Sequence, residues 1–307
     1  MNPANKIVWL VQTISDAKRI SLKEIRKKYK ESVYYTGTGL SRSSFNRWKA
    51  EAEELMMIEI GCDNKGGYKY YIKEDLKDKS DIRNWVFNNT LLSNIFINNI
   101  GIKDKIITEE IPEGNEYLQT IIDAISNKQV LRITHKGYTS KYERTTDCMP
   151  LCIRLCKQRW YVLFQHIDKN GELRKNIYAL DRIISIEPLE GEHFEEPKDF
   201  NAKTYFKHLY GAFINGADKE PETIRIKTTK EQMTLLLRSL PLHHTQKEVE
   251  TMEDGCAIFE CRVHPNLDFR IAILGNGADL EVLSPDTLRT QLKNDIQKLA
   301  NLYNITE

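Results

Sequence analysis

At Gln129 the spacing of apolar residues changes from the threes and fours of a helix to the twos of a strand, and that change divides the chain. Before it, Ile7, Val8, Leu10, Val11 and Ile14 fall on one helical face. After it, Val130 and Ile133, then Leu151, Ile153 and Leu155, then Trp160 to Phe164 and Ile177 to Ile186 read as short strands separated by polar turns such as Asp168–Gly171. Blocks of different period need separate cores, and 307 residues suit two or three modules. The expected class is a multidomain α+β protein. Its boundaries are read at 1–74, 75–116, 117–195, 196–221 and 222–307.

The first block reads as three helices and a hairpin. Ser21 with Glu24 three residues on is a capping-box pattern, and it opens a helix carrying Leu22, Ile25 and Tyr29. Gly37 and Gly39 end that segment. Ser41 caps a third helix with Phe45, Trp48, Ala52 and Leu55 as its apolar stripe. Ile58–Ile60 and Tyr68–Ile72 then flank a turn containing Gly66 and Gly67, which supply the positive φ of a tight turn. This is the order of a winged helix-turn-helix. Ser41, Arg42, Ser43, Ser44, Asn46, Arg47 and Lys49 offer phosphate and base-edge partners from the third helix, with Lys65 on flanking backbone from the wing. The competing reading is a solvated helix face in a small protein-binding domain. Charge favours the first, since residues 1–74 carry net +5 and the rest of the chain net −4.

Residues 79–100 predict a longer helix with Trp85, Leu91, Leu92, Ile95 and Phe96 on its apolar side, able to pack on its own domains or on a second subunit. A short helix follows at Tyr117–Ile125. The aromatic segment of Phe194, Pro197, Phe200, Tyr205 and Phe206 connects the strand-rich block to a last one of alternating strands and helices from Thr223 to Tyr303. That alternation predicts an α+β sandwich of the split βαβ, ferredoxin-like type.

Several function classes are disfavoured. No apolar run approaches the roughly 18 residues of a membrane span, and the start of the chain lacks a signal-peptide pattern, so the cytoplasm is expected. The six cysteines are scattered and read as reduced thiols. Cys148, Cys152 and Cys156 share one face if their stretch is a regular strand, but about 13 Å would separate the first two, too far for one tetrahedral ion. His243 and His244 lack further ligands, Ser43 and Ser284 lack a nucleophile-elbow context, and no glycine-rich phosphate loop follows a strand. No catalytic residue, metal or cofactor is expected.

Lys157-Gln-Arg-Trp-Tyr-Val162, followed by Tyr178-Ala-Leu-Asp-Arg-Ile183, resembles the WYL domain, with Val162 in place of the leucine of the name-giving triplet. The segments Pro241–Gln246, Ala272–Gly277 and Val282–Arg289 resemble the C-terminal extension that follows such domains, and the first block is similar to the winged helix these regulators carry. The resemblance implies a dimeric bacterial transcription regulator whose WYL domain is an Sm-like or SH3-like small barrel that senses a nucleotide or nucleic-acid fragment. Many relatives place arginines where this chain has Asn176 and Ala179, so its pocket should hold a less charged ligand or lean on other cations: Arg154, Lys157, Arg159 or Arg174.

On a strand Trp160 and Tyr161 point to opposite faces, so one serves the core and the other any site. Tyr161 as a stacking platform with Arg182 on phosphate, joined by His135 and Tyr138, is the preferred set, with Arg154 and Arg159 as further cations. Against it, Arg182 has Asp181 and Glu187 as available ion-pair partners. Two hypotheses follow: a regulator that binds duplex DNA as a homodimer and responds to a nucleotide or oligonucleotide, or a single-strand-sensing module in a protein complex, with the winged helix as a protein dock.

Overall fold

A computed structural model describes residues 3–64, 67–73, 82–98, 101, 105–107, 114–137 and 140–305. Lys65 and Tyr138, both expected at functional surfaces, lie outside the described residues. The fold is a mixed α/β one that divides into two compact units, Met1–Glu109 and Glu110–Glu307.

In the first unit α1 (Pro3–Ala17) buries Ile7, Val8, Leu10, Val11 and Ile14, as the spacing predicts. The Ser21–Glu24 capping box is formed and starts α2 (Leu22–Glu31), which buries Ile25 and Tyr29. Ser41 accepts from the Ser44 amide and starts α3 (Arg42–Met56), whose stripe is Phe45, Trp48, Ala52 and Met56. Leu55, expected in that stripe, is 51% exposed. The hairpin is β2 (Ile60–Asp63) and β3 (Lys69–Ile72), and β1 (Ile20–Ser21) adds a third strand on β3 that hydrophobic spacing does not reveal. Helix α4 (Ile82–Asn98) packs on α1 and α3 and leaves Trp85, Leu92 and Phe96 exposed.

The second unit opens with a single 3-10 turn at Asn115–Tyr117 and α5 (Leu118–Asn127). Then come β4 (Gln129–His135), β5 (Arg144–Cys156), β6 (Arg159–Ile167), β7 (Leu173–Ala179) and β8 (Ile183–His193), an antiparallel sheet of order β7-β6-β5-β4-β8. Ile121 and Ala124 of α5 pack with Leu131, Ile133, Val162, Phe164 and Leu180 to form its core. A bulge lies between Pro150 and Cys152 of β5. Because side chains alternate along a strand, the extra residue swaps faces. Cys148 therefore lies in the core cluster, whereas Cys152 and Cys156 pair opposite Leu163 and Arg159 on the other face. The expectation of three cysteines on one face is thereby corrected.

A connector containing α6 (Ala202–Phe206) leads to β9 (Glu222–Thr228), α7 (Glu231–Ser239), β10 (Lys247–Thr251), β11 (Ala257–Val263), α8 (Leu267–Gly275), β12 (Leu280–Ser284) and α9 (Asp286–Leu302). These strands form an antiparallel sheet of order β10-β11-β9-β12, with Ile226, Phe259, Val263, Phe269 and Leu288 among its fully buried side chains. All six cysteines are free: Cys62 is exposed and the other five are buried or half-buried.

Candidate nucleic-acid and effector sites

The turn between β5 and β6 is Lys157-Gln158, and both residues have positive φ, 48° and 62°. Two consecutive left-handed residues make the tight hairpin whose twist matches its strands. Register then follows: Leu155 faces Trp160, Arg154 faces Tyr161, and Tyr161 faces Ala179. Trp160 packs against the core, and Tyr161 on the opposite face lines a cavity of about 410 Å³.

His135, Arg159, Tyr161 and Arg182 all line that cavity, together with Lys157, Ala179, Asp268 and Phe213. Its floor is the sheet face away from α5. Its other wall comes from the connector and from α8, in whose first turn Asp268 accepts hydrogen bonds from the Ala212 and Phe213 amides at 2.8 and 3.4 Å. Gly211 has φ +67°, and a Cβ there would sit 2.0 Å from Asp268 Oδ2, so only glycine lets the connector approach α8 this closely.

The cations of the cavity have definite partners. Arg159 pairs with Asp181, with both side chains largely shielded from solvent. Arg182 donates from Nε and Nη2 to the Lys136 carbonyl at 3.0 and 2.7 Å, and thereby anchors the end of β4. Asp181 and Glu187, its available partners in the sequence, are not the ones it takes among the described contacts. The His135 ring stacks on Tyr178 at 3.9 Å and 2°. Burial and the Arg182 charge lower its pKa. His135 is thus a neutral ring at physiological pH, able both to donate and to accept.

Arg154 is not brought into this set. It lines a neighbouring cavity of about 290 Å³ with Lys157, Phe206, Tyr210, His243 and His244. Of the other cations considered, Arg174 pairs with Asp168 and Glu172. Asn176 bonds the His166 ring. His243 is buried with Nδ1 2.7 Å from Thr245 Oγ1. Among the described residues no group of three or more His, Cys, Asp or Glu could hold a metal ion.

On the first unit, Arg42, Ser43, Asn46 and Arg47 are exposed along one side of α3, while Ser44 and Lys49 are half-buried. Arg47 lies 3.9 Å from Glu51 and Lys49 lies 3.3 Å from Glu53, pairs that leave Arg42 as the α3 cation with most freedom to meet a polyanion. Helix-period reading missed a second group: Lys23, Arg26, Lys27 and Lys30 of α2 line a cleft of about 560 Å³ that ends at Gly39, Leu40 and Ser41. Arg26 Nε donates to the Leu40 carbonyl at 2.8 Å and holds the loop that presents Ser41. The signal was legible as the run of cations at spacings of three, one and three opposite Ile25 and Tyr29.

Residues 116–188 match the WYL domain family, and residues 220–300 match the WCX domain family. No curated protein matches the chain. Among solved structures it is similar to proteasome accessory factor B/C (PafBC) of Arthrobacter aurescens, at 14% identity and a TM-score of 0.40, covering 99% of this chain and 48% of that one. It is also similar to a CRISPR Cas-related protein at 14% identity and a TM-score of 0.40, covering 90% of this chain and 76% of that one. The chain thus spans about half the length of PafBC. No described helix is long and apolar enough to cross a membrane.

Proposed function

We propose that this chain, which belongs to the WYL-domain proteins and carries their C-terminal extension domain, is a cytoplasmic, ligand-responsive transcriptional regulator that acts as a homodimer. In this reading residues 1–74 are a winged helix-turn-helix, 75–116 join the protomers, 117–195 are a small Sm-like barrel, 196–221 connect, and 222–307 are a ferredoxin-like sandwich. The order α1, β1, α2, α3 and hairpin supports the first assignment. The C-terminal strand order, fourth-first-third-second in chain terms, supports the last.

The observation that carries the reading is the cavity on the sheet face away from the core, where Tyr161, His135, Arg159, Arg182 and Lys157 converge. Its chemistry suits a nucleotide. A base stacked on an aromatic ring gains roughly 1–3 kcal/mol, and the neutral His135 can take a base edge or ribose hydroxyl. A phosphate arriving at Arg182 competes with the Lys136 carbonyl, which links occupancy to the end of β4. Ligand must bind one dimer geometry more tightly than another to alter DNA binding. Two copies of α3 would then read successive major grooves about 34 Å apart, with the α2 cations on flanking phosphates.

The test is fluorescence anisotropy of the full chain against tiled duplexes from upstream of its own gene, at two salt concentrations. One tile is expected to bind tightly with a steep salt slope. Arg42→Ala or Arg47→Ala should weaken it by about 1–3 kcal/mol if each reads a base, or lower the salt slope by about one if each meets phosphate. Unchanged binding in both variants rejects α3 as the recognition helix. A single strand that outcompetes every duplex would replace this reading with the single-strand-sensing one, in which the first unit docks a protein.

A further inference from the structure

Four of the chain's seven histidines gather where the connector meets the C-terminal extension. His208 comes from the connector, His243 and His244 from the segment after α7, and His264 from the end of β11. The His208 and His264 ring centroids lie 6.4 Å apart, and those of His243 and His244 lie 4.1 Å apart. His243 and His264 are buried and His208 is half-buried. His208 is central, since it acts electrostatically on each of the other three.

The same rings make the joint. His208 Nδ1 donates to the Arg262 carbonyl at 2.9 Å, and the His208 carbonyl accepts from the His264 amide at 2.8 Å. Leu209, buried, bridges His264 in parallel pairing. His243 Nδ1 accepts from the Thr245 amide at 3.3 Å, which requires the neutral ring with that nitrogen bare, and Thr245 Oγ1 donates to the Arg262 carbonyl. On its other side the connector is tied to the five-stranded sheet. Arg154 lies over the Phe206 ring at 4.3 Å, Lys175 over Tyr205 at 5.3 Å and Lys157 over Tyr210 at 5.8 Å.

The surroundings oppose charge on these rings. Arg154, Lys157 and Lys207 face them from β5, the β5–β6 turn and the connector. Of the carboxylates, Glu220 and Glu222 act on His264, with Glu220 also 3.8 Å from Arg262, while Asp268 acts on Arg154 and accepts from the Ala212 and Phe213 amides. Burial is the largest cause that lowers the pKa of His243, His244 and His264, and His208 lowers all three further. Protonation therefore sets like charges beside fixed cations in a half-dry space.

We propose that the four histidines are a proton-operated latch: uncharged, they hold the Lys207–Tyr210 run against the extension, and on acidification they take up protons and release that run while both sheets stay folded. Release breaks the His208 and Leu209 pairing with His264 and uncouples the extension from the five-stranded sheet. The closed form is favoured above pH 6.5 and loses its advantage as the pH falls, because the open form binds the protons that the closed form refuses. The latch stands whatever occupies the Tyr161 cavity.

The experiment is hydrogen exchange of the full chain, read by mass spectrometry at pH 7.0 and 5.5, with each rate divided by the intrinsic chemical rate. Ordinary carboxylates stay charged throughout this window. Exchange of peptides spanning 207–214 should rise about tenfold or more: His243 alone, at about 4 in the latch and 6.5 in water, supplies about eightfold, and His244 and His264 add to it. Peptides from β5, β6 and β9 should change by less than about twofold. The double variant His243→Gln with His264→Gln should hold the rise below about threefold. Should it not fold, His208→Gln, whose amide can still donate to the Arg262 carbonyl, should cut the rise by about half or more. A rise shared equally by the strands would mean global unfolding in place of a latch, no rise would mean that the cluster takes up no protons on opening, and a full rise in the variants would assign it to other groups. Any of the three overturns the proposal.

Discussion

His243 is 8% exposed, and burial, followed by the neighbouring His244, His208 and Arg154, lowers its pKa from 6.5 to about 4. In the unfolded chain the same ring titrates near 6.5, so between pH 6.5 and 4 the unfolded state takes up a proton that the folded state refuses. Stability is therefore full above pH 6.5 and falls as the pH drops toward 4, by on the order of 2–3 kcal/mol from this residue. His244 and His264 are depressed too and act in the same direction. His243→Gln should flatten the acid limb of a denaturant-melt series between pH 6.5 and 4, and a limb of unchanged steepness would show that His243 is not the group responsible. At this scale strand alternation made the division of labour between Trp160 and Tyr161 readable from two letters. The bond of Arg182 to Lys136 was not readable, because its acceptor is a backbone carbonyl, and every residue has one. Asp181 takes Arg159 because the Tyr161–Ala179 register, continued outward, sets residue 159 opposite 181.

Helices with caps and strongly periodic stripes were legible as elements: α1, α2 and the helices and strands after Glu222 lie where spacing puts them. The exceptions have local causes. Leu55 and Met56 both lie roughly 50° from the centre of the α3 stripe at 100° per residue, so spacing alone cannot choose between them, and packing near Ile58 and Ile60 buries the methionine. Two-residue β1 is too short to show a period. The bulge in β5 leaves no trace in composition, yet it decides that Cys152 and Cys156 face away from Cys148. Gly211 is the corresponding unread feature of the connector. Gly211→Ala would strain the backbone and displace Asp268 from two amides, and should cost on the order of 2 kcal/mol. Differential scanning fluorimetry should show a fall of several degrees, and an unchanged melting temperature would mean that the connector relaxes freely away from α8.

For the whole molecule, three hydrophobic clusters form among the described residues, one in the first unit and two in the second. What periodicity does not carry is which cores share a seam. In the second unit polar side chains close the seam between the connector and the last core: Asn266 bonds the Tyr210 and Phe213 carbonyls, Asp268 holds two amides, and His208 bonds the Arg262 carbonyl. The lining of the Tyr161 cavity from both sides of that seam could not be foreseen strand by strand.

The distribution of thiols has a practical consequence. Burial raises the pKa of Cys148, Cys156 and Cys256 and pushes Cys152 and Cys261 up to about 12, so at neutral pH they hold their protons and lack the nucleophilic thiolate. Cys62 on β2 is exposed. A stoichiometric maleimide dye at pH 7 should therefore give an intact mass increased by one adduct, at Cys62, with the natural sequence untouched. Two or more adducts under native conditions would reveal opening of the second unit. With one adduct, the chain comes with its own attachment point on the hairpin, and a fluorophore there reports on that hairpin without any engineered cysteine.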